Sequence, residues 1–416
     1  MVVESHSINL VPVGWGFLGV HVYDGVFGCV RIVTDGGCIY SCFNHSLGWI
    51  ARFFRGFSSW VWILSHLDYD HFSIVTSMVG RGFWSLPSAV LLPASYGYGV
   101  CRETFALAYT LARIISWKLK LPPPRYEEVL DLLKDTGRIV GVASGTILRV
   151  GELEYRFIWP EPSYVRARCK KLNRALERKI YAVCEGDREC LRKAQETLHY
   201  VRDKIESITS IYGGVKEAID LNDLLPFFRE SSREIRDFSS EVETYDLESL
   251  FYEASIRLKD KALTRLAKNV FNAHSLAYFI QTPKLTHMKT LVYTCHERLI
   301  FREFTTTSRT NNKLLLYLSD LTGDELNYTL QNFSNFVNKV PGYNVMITTV
   351  PHHGNTFSSK LRIIRPHIAY IPRCDHHPPS RWRKSTNFAK NLKHFVNTGS
   401  YIVKSNHIRG LYTTIT

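Results

Sequence analysis

Glutamine occurs at only three of 416 positions, Gln195, Gln281 and Gln331, and methionine at four. Scarcity of such thermolabile residues is a weak mark of a thermophile. Long apolar runs are also missing: none reaches the roughly 18 residues that a membrane span requires, so no membrane partner is expected. The opening MVVESHSINL has no basic stretch leading into an apolar segment, and the expected location is therefore cytoplasmic. The nine cysteines include no C-x-x-C pair, which excludes the usual zinc-finger spacings. The closest pairs are Cys38 with Cys42 and Cys184 with Cys190; a disulfide between the latter two is compatible with an intracellular protein of a thermophile. The most telling scarcity is of acid. From Leu326 to Thr416 a single acid, Asp375, stands against twelve Lys and Arg, so this stretch carries +11 of the chain's net +14. Such a field suits a phosphate-bearing ligand.

What is present fits a globular chain. Hydrophobic residues make up 45% and charged residues 22%, well away from a disordered composition, and the length allows two domains or one large fold with insertions. Residues 8–43 alternate short β-type runs with glycine turns and read as a strand meander. WVWIL reads as a short strand buried on both faces. SAVLLPAS, the helical RETFALAYTLARIISWKLK and YEEVLDLLKDTG, and the strand pair GTILRVGELEYRFIWP follow. Strands alternating with helices predict a mixed α/β sandwich. From Glu161 the character changes to long charged runs of helical spacing with almost no glycine, bent near Glu185-Gly186-Asp187. Strand character resumes at HSLAYFI and continues through KTLVYTC, NKLLLYLSD, VMITTV, HIAYIP and SYIVKS. The expected organisation is thus a first half at 1–162, a helical insertion at 163–268 and a second half at 269–416. The insertion is read as a solvated hairpin, with a protein-partner or oligomer surface as the sharper alternative.

Directly after WVWIL comes SHLDYDHFS, Ser65–Ser73, with two histidines and two aspartates in six residues. As structure, this is a surface turn with an N-cap for the next helix. As chemistry, it uses all four groups: His66, Asp68 and Asp70 alternate toward one side of a turn leaving a strand, and His71 follows where the chain turns. Imidazole and carboxylate together are the ligand set of a hydrolytic metal site. The density behind a buried strand favours the metal. Two histidines in a row, His352 and His353, precede Gly354 at another strand end, which favours at least one ligand there. His274 on a strand reads as packing or as a ligand, and His377 before Pro378 as turn chemistry or as a proton donor.

The hexapeptide His66–His71 resembles the signature of the metallo-β-lactamase superfamily, in the branch that carries Asp where most members have a second His, as Asp68 does here. That branch includes the soluble hydrolase domain of bacterial DNA-uptake (competence) channel proteins and phosphorylcholine esterases. The likeness extends to VGWG (Val13–Gly16), GTILRVGELEYRFIWP, NAHSLAYF (Asn272–Phe279), LYLSDL (Leu316–Leu321), VPHHGNTFS (Val350–Ser358), RPHIAYIPRCDHHPP (Arg365–Pro379) and VKSNHIRGLYTTI, all in family order. The resemblance implies an αββα metallo-β-lactamase sandwich with a large helical insertion. It also implies two divalent metal ions, Mn²⁺ or Zn²⁺, on His66, Asp68, Asp70, His71, Asp320 and His352 or His353. His274 is the candidate for the separate downstream ligand, with Asn272 as its alternative, and Asp324 is the alternative to Asp320. The family usually has an Asp on the strand before the hexapeptide; it is expected near Ile39–Phe43, where this chain has Tyr40, Ser41 and Cys42.

The implied activity is metal-dependent phosphodiester hydrolysis, with a nuclease acting on DNA or RNA as the leading expectation. Asp70 would orient the attacking oxygen and His377 would protonate the leaving one. Arg373, Arg381, Arg383 and Lys384 would contact phosphates. Hydrolysis of a small phosphodiester or ester, including a cyclic nucleotide, and a non-catalytic binding subunit on the same scaffold are the alternatives.

Overall fold

WVWI, Trp60–Ile63, is four buried residues in a row, and a strand covered on both faces has to lie inside a layered structure. It does so in the computed structural model of the chain, which describes residues 5–11, 13, 16–25, 28–38, 50, 60–209, 212–225, 247–282, 288–294, 302–306, 312–339, 343–373, 386–404 and 409–415. The first half of the chain holds β1 (Ser5–Leu10), β2 (Leu18–Gly25), β3 (Gly28–Asp35), β4 (Trp60–Ile63), β5 (Ala89–Pro93), β6 (Ile139–Val142), β7 (Ile147–Val150) and β8 (Leu153–Trp159). The rest holds β9 (Tyr212–Val215), β10 (Ala218–Asp220), β11 (Ala277–Thr282), β12 (Met288–Thr294), β13 (Arg302–Thr306), β14 (Asn312–Tyr317), β15 (Tyr343–Thr349), β16 (Ile368–Ile371), β17 (Tyr401–Lys404) and β18 (Arg409–Ile415).

These strands form two mixed sheets. One runs β13-β12-β18-β1-β2-β3-β4-β5-β6-β9 and the other β10-β7-β8-β11-β14-β15-β16-β17. The meander β1-β2-β3 is antiparallel, and β3 to β6 are parallel. In the second sheet β14 to β17 are parallel. Period-two alternation decides what each face meets. Val30, Ile32, Val61, Ile63 and Leu91 share one apolar core with Tyr155, Phe157, Tyr278, Ile280, Leu315 and Tyr317 of the other sheet. The intervening Val33, Trp60, Trp62, Val90 and Leu92 belong to a second core made with helices. Phe279, Leu316 and Leu318, on the far side of the second sheet, belong to a third. The expected mixed α/β sandwich is therefore present as two sheets with helices on their outer faces.

The helices are α1 (Tyr69–Gly80), α2 (Gly99–Leu119), α3 (Glu127–Thr136), α4 (Pro162–Cys184), α5 (Arg188–Thr209), α6 (Leu247–Arg257), α7 (Lys261–His274), α8 (Gly323–Lys339) and α9 (Thr386–Asn397). Helix α4 starts where chemistry sets it: Pro162 occupies the first turn and the Glu161 side chain accepts from Tyr164 N at 2.6 Å. The bend expected at Glu185–Asp187 separates α4 from α5, bridged by the Cys184–Cys190 disulfide.

Residues 163–268 are mostly helix, as expected, but they are not a hairpin in solvent. Leu172, Leu176 and Ile180 of α4, Val201 and Ile205 of α5 and Leu250 and Phe251 of α6 share one core with Phe72 of α1 and Phe105 of α2. A second disulfide, Cys101–Cys169, ties α2 to α4. The same segment contributes β9 beside β6 and β10 beside β7, so it adds an edge strand to each sheet. Among the described residues no helix is long and apolar enough to cross a membrane.

Candidate metal centre

Five strands deliver their carboxyl ends to one place. Asp35 closes β3; Ser65 and His66 follow β4; Ser319 and Asp320 follow β14; His352 and His353 follow β15; Arg373 follows β16. The crevice outside the carboxyl ends of parallel strands is where an α/β sheet presents ligand groups.

Two glycines set how the hexapeptide meets this edge. Gly37, after β3, lies so close to the chain at Asp70 and His71 that a Cβ there would be 2.2 Å from the Asp70 carbonyl carbon and 2.3 Å from His71 N. Gly16 has a φ of +155°, and a Cβ on it would meet Gly37 O at 2.0 Å. VGWG and DGG are therefore close-approach positions against the motif. The first turn of α1 is pinned by the same loop: Ile74 N and Val75 N donate to Gly36 O at 2.8 and 3.0 Å, and Cys38 N donates to Ser73 Oγ at 2.9 Å.

Asp70, His71, Asp320 and His353, all buried, place one ligand atom each within 4.8 Å of one another. His353 Nε2 lies 2.8 Å from Asp70 Oδ2 and 3.7 Å from Asp320 Oδ2. His71 Nε2 lies 3.5 Å from Asp320 Oδ2 and 3.8 Å from Asp70 Oδ1. Each ring is turned by an acceptor on its far side. His353 Nδ1 donates to Pro372 O at 2.7 Å, and His71 Nδ1 donates to Asp35 Oδ2 at 2.8 Å. With Nδ1–H fixed outward, both Nε2 atoms aim at carboxylate oxygens that can only accept. A cation is what satisfies that arrangement, and His71 Nε2 is a buried nitrogen without a hydrogen-bond partner. The four groups thus fit a divalent ion.

Electrostatics agree with the geometry. Burial disfavours charge on His71, but the carboxylates of Asp35, Asp70 and Asp320 outweigh it and hold the ring well above the ordinary imidazole range. His353 is raised against its burial by Asp320 and by its bond to Asp70. Burial would raise Asp320, yet His353 and His71 hold it well below the usual carboxylate range, and Asp70 is lowered by His71 and His353 in the same way. His66 is pushed down to about 3 by burial and by His71, and so carries a neutral ring.

The other expected ligands fall into different places. His66 borders the group, its ring 4.0 Å from that of His71 and its Nδ1 3.0 Å from Ser65 Oγ. Asp68 is not in the group of four. It caps α1, accepting from Tyr69 N at 2.9 Å, and also accepts from Tyr126 Oη at 3.2 Å; the helix-capping role foreseen as the structural account of the motif belongs to this residue. His352 turns away from His353, with ring planes at 85°, and its Nε2 lies 3.2 Å from Glu248 Oε2.

His274 is corrected outright. It ends α7, its Nδ1 bonds Ser95 Oγ at 2.8 Å and its Nε2 sits 3.8 Å from Cys169 Sγ. Burial lowers its pKa to about 4, and it lies with Cys101 and Cys169 in a separate group whose two sulfurs are joined in the disulfide. A helix end facing away from the strand edge put it there. Asp324, the alternative to Asp320, lies in the first turn of α8. Arg373 is buried, with its guanidinium carbon 3.8 Å from the Phe388 ring centroid. His377, Arg381, Arg383, Lys384 and the side chain of Asn272 lie outside the described residues.

Two residues of the site escaped sequence reasoning. The acid sought at Ile39–Phe43, a stretch outside the described residues, is Asp35. Its Oδ1 accepts from Ser65 N at 2.7 Å, and its Oδ2 accepts from Ser65 Oγ at 2.9 Å, from His71 and from the Tyr317 hydroxyl. The signal was available, since VRIVTDGG ends an apolar strand in Asp just as WVWILSHLD does. Glu248 had no signal: it stands in a helix far along the chain. No protein-family model and no curated protein matches this chain.

Proposed function

We propose that the chain is a metal-dependent phosphodiester hydrolase of the metallo-β-lactamase type, with nucleic acid as its substrate class. The observation that carries the reading is the convergence of Asp70, His71, Asp320 and His353 at one strand edge, with ligand atoms within 4.8 Å of one another. The αββα arrangement of the resemblance accords with two sheets flanked by helices, and its P-H-H-G segment accords with the placement of His353.

Divalent ions supply Lewis acidity toward a phosphoryl oxygen and acidify water near neutral pH. The chain's own residues do the rest. Asp70 and Asp320 give the site negative charge, and His71 and His353 present nitrogen pairs whose direction is set by Asp35 and Pro372 O. Burial of all four keeps bulk water from screening these charges. The basic surplus from Leu326 onward raises the local concentration of a polyanion. Protonation of the leaving oxygen is assigned to His377 from the resemblance.

A second reading is hydrolysis of a small phosphodiester. It is favoured by the depth of the site, where His66, His71 and His353 are each 1% exposed. The test is metal content by elemental analysis together with turnover of bis(p-nitrophenyl) phosphate in Mn²⁺ and in Zn²⁺. The carboxylate-rich ligand set predicts higher activity in Mn²⁺. A chain that binds neither ion sinks the hydrolase reading. Competition by single-stranded DNA or RNA supports a nuclease, and competition by cyclic nucleotides alone supports the second reading.

A further inference from the structure

Helix α6 brings a carboxylate into the site from outside every strand-edge motif. Glu248 stands in its first turn, buried, and Oε2 lies 3.2 Å from His352 Nε2, whose side chain is 1% exposed. Burying a carboxylate is costly unless a cation or donors compensate. The backbone is bent to make this pairing: His352 and His353 both have left-handed φ, +50° and +51°, a region non-glycine residues adopt at a cost. The consequence is that neighbouring rings point apart, their centroids 6.2 Å from each other. His353 faces Asp70 and Asp320; His352 faces Glu248. His66 lies on the side of the group away from His353, against His71, and it interacts electrostatically with both Asp320 and His352. Asp320 therefore stands between two sets of ligand-type groups.

We propose that Glu248 is a metal ligand: α6 delivers its carboxylate to a second divalent-cation site, completed by His66, His352 and the shared Asp320, beside the site of Asp70, His71, Asp320 and His353. The inference rests on the hydrolase reading above and adds a ligand that the resemblance does not supply. A carboxylate shared between two ions, each with ligands on its own side, is the arrangement of two-metal hydrolytic centres. Glu248 takes the place that the sequence had assigned to Asp68, which is committed to capping α1, and to His274, which lies with Cys101 and Cys169. The second ion is then held only when α6 is docked on the core through Leu247, Leu250 and Phe251.

The plain alternative is an ion pair in which Glu248 only orients His352. Metal stoichiometry separates the two. The full chain is stripped with chelator, reloaded with Mn²⁺ or Zn²⁺, and followed by calorimetric titration and elemental analysis. The parent is expected to hold two ions. Glu248→Gln, which keeps shape and removes the charge, is expected to lose one of them or weaken it by at least about tenfold, leaving the other unchanged. His352→Gln should lose the same ion, and Asp70→Asn the other. Glu248→Gln holding two ions at parental affinity overturns the proposal, as does a parent that holds only one ion. A parent that holds none overturns the hydrolase reading as well. Should Glu248→Gln fail to fold, Glu248→Asp and His352→Gln decide the matter: parental stoichiometry and affinity in both overturn it.

Discussion

His71 Nδ1 lies 2.8 Å from Asp35 Oδ2, and the same oxygen accepts from Ser65 Oγ and from the Tyr317 hydroxyl. One carboxylate thereby joins the ends of β3, β4 and β14 to the helix that carries the motif. Asp35→Asn keeps the shape but puts an amide where four donors need acceptors. Metal affinity is expected to fall about 10- to 100-fold, the usual effect of removing a partner behind a ligating histidine. Calorimetric titration of the folded variant checks this, and unchanged affinity would show that Ser65 and Asp70 suffice to orient His71.

Gly37 tests the close approach. A Cβ at this position would overlap the backbone of Asp70 and His71, and backbone cannot swing aside as a side chain can. Gly37→Ala is expected to cost roughly 1–3 kcal/mol, the range for an overpacked core, and to weaken metal binding with it. Thermal unfolding with and without metal reads both effects. A variant as stable and as metal-competent as the parent would mean that the loop yields freely.

The helices of 163–268 complete the core. Leu176 is fully buried and belongs to the core shared by α1, α2, α4 and α5. Leu176→Ala should therefore cost about 2–5 kcal/mol, measured by denaturant unfolding, and deletion of 163–268 should leave a chain that does not fold. A soluble deletion variant with cooperative unfolding would return the segment to the status of an autonomous insertion.

Charge and chemistry should separate under mutation. Asp70→Ala and Asp320→Ala are expected to abolish turnover while sparing nucleic-acid binding. Replacing Arg381, Arg383 and Lys384 by Ala together should do the reverse: affinity drops, and the slope of log affinity against log salt shallows by roughly 0.7–0.9 for each phosphate no longer neutralised. Filter binding over a salt series measures it. A triple variant with the parental slope would make SRWRKS a solvated turn and the small phosphodiester the better substrate.

Local pattern was enough for much of this protein. The run WVWIL, followed at once by His66, Leu67, Asp68, Tyr69, Asp70 and His71, announces a strand end crowded with ligand groups, because burial on both faces and charge density are properties of neighbouring residues. Asp70, His71, Asp320 and His353 were all legible that way, each within a few residues of an apolar strand. The alternation of the β-runs also foretold an α/β sandwich. Tertiary structure alone decided the roles. Asp68 and Asp70 are two residues apart, yet one caps α1 and the other faces His353, because α1 begins between them and turns their side chains by helical rather than strand geometry. Asp35 was misplaced because its function depends on Gly37 bringing β3 against the motif. Glu248 was invisible because its place is set by the apolar face of α6, through Leu250 and Phe251, packing on a core built from helices and strands throughout the chain. Sequence separation carries no trace of such packing; burial of distant apolar surface fixes it.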